Sequence, residues 1–187
     1  SDEPITVIAI GPLPNLAEAL KRQPKIAEKS KVVGMLGSVR RGYNNSDKIA
    51  REWNVATYPK DAQKVFSSSW PMMITPLDTC GIVGLQGEDY KQVLQSKKPA
   101  AKVVLNAYRS WLERPGYPPE KRWDIKQGSS TLYDTVAVYL AMRTDLFKME
   151  QIGLSVDNEG YTVIDENAKK IDCALEWKDL DAFEDFL

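Results

Sequence analysis

The chemistry open to this chain is set first by a residue it lacks. Among 187 residues there is no histidine, against 26 Asp or Glu and two cysteines. A serine or cysteine nucleophile activated by an imidazole is excluded within the chain, as is a His-ligated metal. Any metal would have to be held by oxygen atoms, or by two thiols at most. Cys80 and Cys173 lie far apart in sequence, and two cysteines make no disulfide framework; two reduced thiols are the expected state. Among the carboxylates, Asp134 stands before the apolar stretch Val136-Ala137-Val138-Tyr139-Leu140. An Asp there is either a helix N-cap or an oxygen ligand. Asp179-Leu180-Asp181 stands at another helix start, where capping accounts for it. The glycine-punctuated stretch Gly34 to Gly42 is neither G-x-G-x-x-G nor a Walker loop, so no phosphate cradle is expected.

Composition narrows the partners. A formal net charge of -1 with 27% charged residues shows no basic surplus, which argues against nucleic-acid binding. No apolar run approaches the ~18–20 residues that span a bilayer, so no membrane partner is expected. The start Ser1-Asp2-Glu3-Pro4 does not have the pattern of a signal peptide, and a cytoplasmic setting is the expectation.

The elements that must position any site read as alternating strands and helices. Ile5 to Ile10 is a nearly continuous apolar run, as in strands covered on both faces. Asn15 and Glu18 have the spacing of a capping box, with Leu16, Ala17, Ala19 and Leu20 at helical intervals. Val32 to Leu36 and Met72 to Thr75 read as strands. Pro59 begins a helix at a favoured first-turn position. Residues 88–113 read as helix broken near Pro99, and residues 114–119 as a loop. The segment after Asp134 is apolar almost all round, the mark of a buried helix. Ile152 to Val156 and Tyr161 to Ile164 read as a hairpin around Asp157-Asn158-Glu159-Gly160, followed by a strand from Lys170 to Trp177 and a short terminal helix. The fold class is α/β, one domain with a mostly parallel sheet flanked by helices, ending in a hairpin and a strand. The first strand has the look of a central one, yet only about three convincing parallel strands are present, against ~5–6 in a typical sheet. That mismatch points to something missing upstream.

Several segments resemble one enzyme family in its own order. Ile5-Thr6-Val7-Ile8-Ala9-Ile10-Gly11-Pro12-Leu13-Pro14-Asn15-Leu16-Ala17 resembles an apolar strand followed by G-P-L-T-N-[IL]-A, with Pro14 in place of Thr. Val33-Gly34-Met35-Leu36-Gly37-Ser38 resembles V-x-M-G-G-x. Arg51-Glu52-Trp53-Asn54 through Ala62 is similar to A-E-F-N-x-x-x-D-P-E-A-A, and Trp70 through Thr79 to a strand ending in L-D-[VL]-T. Leu132-Tyr133-Asp134-Thr135-Val136-Ala137-Val138-Tyr139-Leu140 resembles the H-D-P-x-A-V-A-Y-[LV] helix start. The family is that of the inosine-uridine-preferring nucleoside hydrolases. The resemblance covers nearly all of this chain and about the second half to two-thirds of a whole member. Tyr58 and Leu36-Gly37-Ser38 depart from its patterns and mark a divergent member.

The resemblance implies hydrolysis of the N-glycosidic bond of a ribonucleoside to ribose and free base, through an oxocarbenium-like transition state. It implies a Ca²⁺ ion polarising the attacking water, held by roughly six to eight oxygens. It assigns two of those ligands here, the backbone carbonyl of Ile10 and the carboxylate of Asp134. The family's amino-terminal D-x-D-x-x-x-D-D motif does not occur in this sequence. Glu52 and Asn54 match residues that bond the sugar hydroxyls, Trp53 replaces an aromatic wall, and Met35 matches an apolar one. Asn44 or Asn45 stands for a further sugar-binding Asn, in a loop about three residues longer than usual; an ordinary turn is the alternative. Trp53 is equally readable as a core aromatic. Tyr133 replaces the His that protonates the leaving base, and with a reference pKa of ~10 it can stack or donate a hydrogen bond rather than act as the acid. The chain alone is expected to be inactive and to bind Ca²⁺ weakly. The alternative is a non-catalytic binding or subunit protein. The family also implies a ribonucleoside partner and a homo-oligomer, or completion by an amino-terminal segment.

Overall fold

Three short β-rich segments, each followed by a helix or a helical turn, build the first half of the chain. They are Ile5–Ala9 (β1), Ser30–Met35 (β2) and Met72–Thr75 (β3). A computed structural model describes residues 3–118 and 125–187. The six-stranded sheet has the order β1-β2-β3-β6-β4-β5, where β4 is Phe147–Val156, β5 Thr162–Ile164 and β6 Lys170–Trp177. β1, β2, β3 and β6 run parallel, with Val7 opposite Val32, Val32 opposite Met72 and Ile74 opposite Cys173. β4 pairs antiparallel with β6 on one side and β5 on the other, so the expected hairpin and strand form. The class is α/β with a mostly parallel sheet, as the alternating pattern predicts.

Parallel neighbours need crossovers, and helices supply them. Pro14–Arg22 (α1) connects β1 to β2; between β2 and β3 come the short Trp53–Ala56 (α2) and Pro59–Ser67 (α3). Leu13, Ala17, Ala62, Val65 and Phe66 from this layer pack with Val32, Ile74, Leu154 and Ile171 into one buried cluster. Leu77–Cys80 (α4) follows β3, and Tyr133–Met142 (α7) packs on β1, β2 and β3. Between them come Gly87–Gln95 (α5) and Pro99–Leu112 (α6), the two helices read over residues 88–113 with their break at Pro99. The final helix is Asp181–Phe186 (α8). The loop expected over residues 114–119 is described as far as Pro118; Pro119 lies outside the described residues.

The chain divides into two compact units. Ser1–Val83 with Leu132–Leu180 contains the whole sheet, α1–α4 and α7. Gly84–Thr131 with Asp181–Leu187 contains α5, α6 and α8. In the second unit Arg114 stacks on Trp111 and Tyr117, with its guanidinium carbon 4.4 and 4.1 Å from the ring centres.

β1 is at the edge of this sheet, with its apolar Ile5 and Ile8 exposed. Two sequence expectations are corrected. Asn15 caps nothing. Leu13 is the N-cap of α1 and Pro14 occupies the first turn, because the fixed φ of proline starts the helix before Asn15. Glu18 instead bonds Arg22 at 2.8 Å. α7 is not buried all round: Val136, Ala137, Tyr139 and Leu140 are, but Val138 and Met142 are exposed. Both cysteines are free and buried. Among the described residues no helix is long and apolar enough to cross a membrane.

Candidate functional site

In a parallel sheet all carboxyl ends of the strands lie on one edge, and the loops that leave them share that edge. Met35 ends β2 and is buried at 4% exposure. The loop after it returns at Glu52, the N-cap of α2. Glu52 is 2% exposed, and its two oxygens accept from Asn54 N at 2.7 Å, Gly37 N at 3.0 Å and Val55 N at 3.2 Å. One carboxylate thus caps a helix and pins the start of the loop. Burial raises the Glu52 pKa to about 7, against the lowering pull of these backbone donors; the nearby charge of Asp134 adds to the rise. Asn54 is buried, and its Nδ2 donates to the Met35 carbonyl at 3.0 Å with Met35 Sδ at 3.3 Å. Its Oδ1 accepts nothing among the described residues. Trp53 is 69% exposed, so the reading of it as a core aromatic is corrected.

The loop between Gly37 and Glu52 is laced from several directions. Gly37 has φ +83°, and a Cβ there would lie 2.5 Å from Thr162 Oγ1, so glycine is required by both backbone and space. The same hydroxyl accepts Ser38 N at 2.9 Å. Ser38 Oγ donates to the Arg41 carbonyl at 2.6 Å and accepts Ala50 N at 2.9 Å. Asp78, on α4, accepts three successive amides: Val39 N at 2.9 Å, Arg40 N at 2.7 Å and Arg41 N at 3.2 Å. Gly42 N donates to Ser46 O at 2.9 Å, closing a tip in which Asn44 and Asn45 take φ of 56° and 57°. Left-handed backbone is a conformation Asn tolerates well, so the turn reading accounts for both residues. Arg41 pairs with Asp47, and Arg40 forks onto Glu150 at 2.7 and 2.8 Å. These exposed pairs contribute little.

The first turn of α7 meets this loop. The rings of Tyr43 and Tyr133 lie edge to face, 6.3 Å apart at 81°, and Tyr43 Oη accepts Trp53 N at 2.9 Å. Asp134 is not the N-cap of α7; Leu132 holds that position, with no side-chain cap bond. Asp134 is exposed and accepts no hydrogen bond among the described residues, while partial desolvation of its carboxyl raises its pKa. Ile10 follows the end of β1 on the same edge and is 46% exposed. The structure therefore brings Met35, the Glu52–Asn54 turn, Tyr133 and Asp134 together. It leaves Ile10 at the neighbouring strand end and Asn44-Asn45 at an exposed loop tip. A cleft of about 500 Å³ is lined by Arg40, Arg41, Asp78, Ile82 and Trp177 among others, and of the residues singled out in the sequence only Asn45 borders it. No group of three or more His, Cys, Asp or Glu suited to a metal occurs among the described residues. One carboxylate and one carbonyl fall short of the oxygens calcium takes, so these residues alone do not fit a calcium site.

The model of the inosine-uridine preferring nucleoside hydrolase family matches residues 1–185. The chain belongs to that family. It is 26% identical over 161 residues to the pyrimidine-specific ribonucleoside hydrolase RihA of Citrobacter koseri, covering 86% of this chain and 49% of the relative. RihA of Escherichia coli matches over the same lengths. The chain thus spans about half the length of these curated relatives. Two solved structures share the fold: the inosine-uridine preferring nucleoside hydrolase of Bacillus anthracis, with TM-score 0.71 and 20% identity over 100% of this chain and 59% of that one, and the purine-preferring ribonucleoside hydrolase of Gardnerella vaginalis, with TM-score 0.70 and 25% identity over 92% and 56%.

Three residues that shape the nucleoside hydrolase loop were given no role from sequence. Asp78 was visible only as part of a strand-end pattern, and Tyr43 only as the residue before Asn44. Thr162 carried no signal, since a hydroxyl acting 124 residues away leaves no local mark.

Proposed function

We propose that this chain supplies the sugar and base contacts of a ribonucleoside N-glycosidase, and that the 187 residues by themselves do not turn substrate over. The observation that carries the reading is the junction of the Glu52–Asn54 turn with the first turn of α7 at the carboxyl edge of a parallel sheet. Asn54 Oδ1 is the acceptor offered to a ribose hydroxyl, Met35 and Trp53 are the apolar walls, and Glu52 holds the turn in shape from behind. Asp134 is the carboxylate with both oxygens open, and the Ile10 carbonyl stands one strand away. Both are oxygen donors of the kind a calcium ion takes, and further oxygens are needed to complete a set. Tyr133, a phenol with a reference pKa of ~10, is too weak an acid to protonate a leaving base near neutrality, and its part is to stack or donate a hydrogen bond.

Purified chain incubated with inosine, uridine and p-nitrophenyl riboside should bind the nucleosides and release no base or nitrophenol. Turnover would contradict the inactivity, and absence of nucleoside binding would sink the site. A second reading, a family-derived binding or subunit protein that hydrolyses nothing, is favoured by one observation. The described residues bring together no three acidic or thiol ligands. Restoring turnover by adding the amino-terminal half of a related hydrolase would remove that reading.

A further inference from the structure

Tyr43 touches both halves of the candidate site. Its hydroxyl oxygen accepts the Trp53 N–H at 2.9 Å, and its ring meets the Tyr133 ring edge-on. Its backbone is held on both sides, by the Gly42–Ser46 closure and by the left-handed pair Asn44-Asn45. The ring is thereby fixed in place beside the Glu52–Asn54 turn, with 36% of the residue open to solvent. Two rings at 81° make a corner in which a flat heteroaromatic can stack on one wall and meet the other edge-on. The Tyr43 oxygen is already an acceptor, so the hydroxyl proton remains to be donated, and it finds no acceptor among the described residues. Burial pushes the phenol pKa up from its ordinary value, so the group keeps that proton near neutrality and serves as a donor.

We propose that Tyr43 is a specificity-determining residue: with Tyr133 it forms the corner that receives the nucleobase, and its hydroxyl donates a hydrogen bond to an acceptor on the base edge. The inference rests on the reading of this edge as a ribonucleoside site and adds which residues grip the base. Base-on-aromatic stacking is strong enough to be read in binding, and loss of one neutral hydrogen bond has a smaller effect.

The test is a ligand-observed NMR titration of the 187-residue chain with inosine, uridine and ribose. Tyr43→Ala should weaken both nucleosides by about tenfold or more while ribose changes by less than about twofold. Tyr43→Phe, which keeps the ring and the fold, should weaken the nucleosides by about threefold and leave ribose unchanged. Equal weakening of ribose and nucleosides would mean that Tyr43 only props the Trp53 backbone, and would overturn the proposal. Unchanged nucleoside binding in both variants would overturn it as well, with the ribonucleoside reading intact. Failure of the unmodified chain to bind either nucleoside would remove the ribonucleoside reading and this inference together.

Discussion

Two carboxylates reach the same sheet edge in opposite conditions. Glu52 is buried and holds three backbone N–H groups. Asp134 stands exposed with no hydrogen bond among the described residues. Both have raised pKa values with desolvation as the first cause, yet only Glu52 is bound into the architecture. The lesson is that a shared shift does not imply a shared role. A carboxylate surrounded by its own chain's donors builds the site, and one left with open oxygens is available to something else.

The comparison is broken most forcefully at Glu52. Glu52→Ala leaves three amide donors without their acceptor in a dry place and should destabilise the chain by about 3–5 kcal/mol, read as a lower urea midpoint. A loss below about 1 kcal/mol would return Glu52 to the status of Asp134. The next effect is in pH. A folded pKa of about 7 lies above the ordinary 4.5, so the folded chain binds more protons than the unfolded one in between. The stability due to this group is therefore fully present below about 4.5 and is lost as pH rises through about 7, by roughly 3 kcal/mol at about 1.4 per pKa unit. The slope of stability against pH over that window should flatten in Glu52→Gln, and an unchanged slope would contradict the assignment. Asp78→Asn comes third. Its amide offers one acceptor where three amides now converge, so a loss of about 2 kcal/mol is expected, with faster tryptic cutting after Arg40 and Arg41. Unaltered cutting would show that the loop holds itself. Asp134→Asn should be smallest, within about 0.5 kcal/mol, as at an ordinary surface position. A loss as large as that of Glu52→Ala would erase the contrast.

Much of the frame was legible from local signals. Periodicity found β2, β3 and the hairpin, Pro59 marked a helix start and Pro99 a helix break, and five short patterns in one order pointed to the family. Environment was less legible. Asn15 looks like a cap until Pro14 is allowed to start the helix. At the site, the types at Glu52, Asn54 and Asp134 were visible, but nothing local says that Glu52 faces its own backbone. The bonds of Asp78 and Thr162 to the loop depend on how the sheet is ordered, which no short window contains.

The Thr162 hydroxyl bond to Ser38 joins residues 124 positions apart. As the chain leaves the ribosome, the loop at residues 37–52 emerges long before its tether exists. β6, which separates β3 from β4 in the sheet, comes later still. The loop can reach its final shape only after Thr162 has been made, so a chain stopped before Thr162 would carry every residue of the Glu52–Asn54 turn and still lack one of the contacts that shape it.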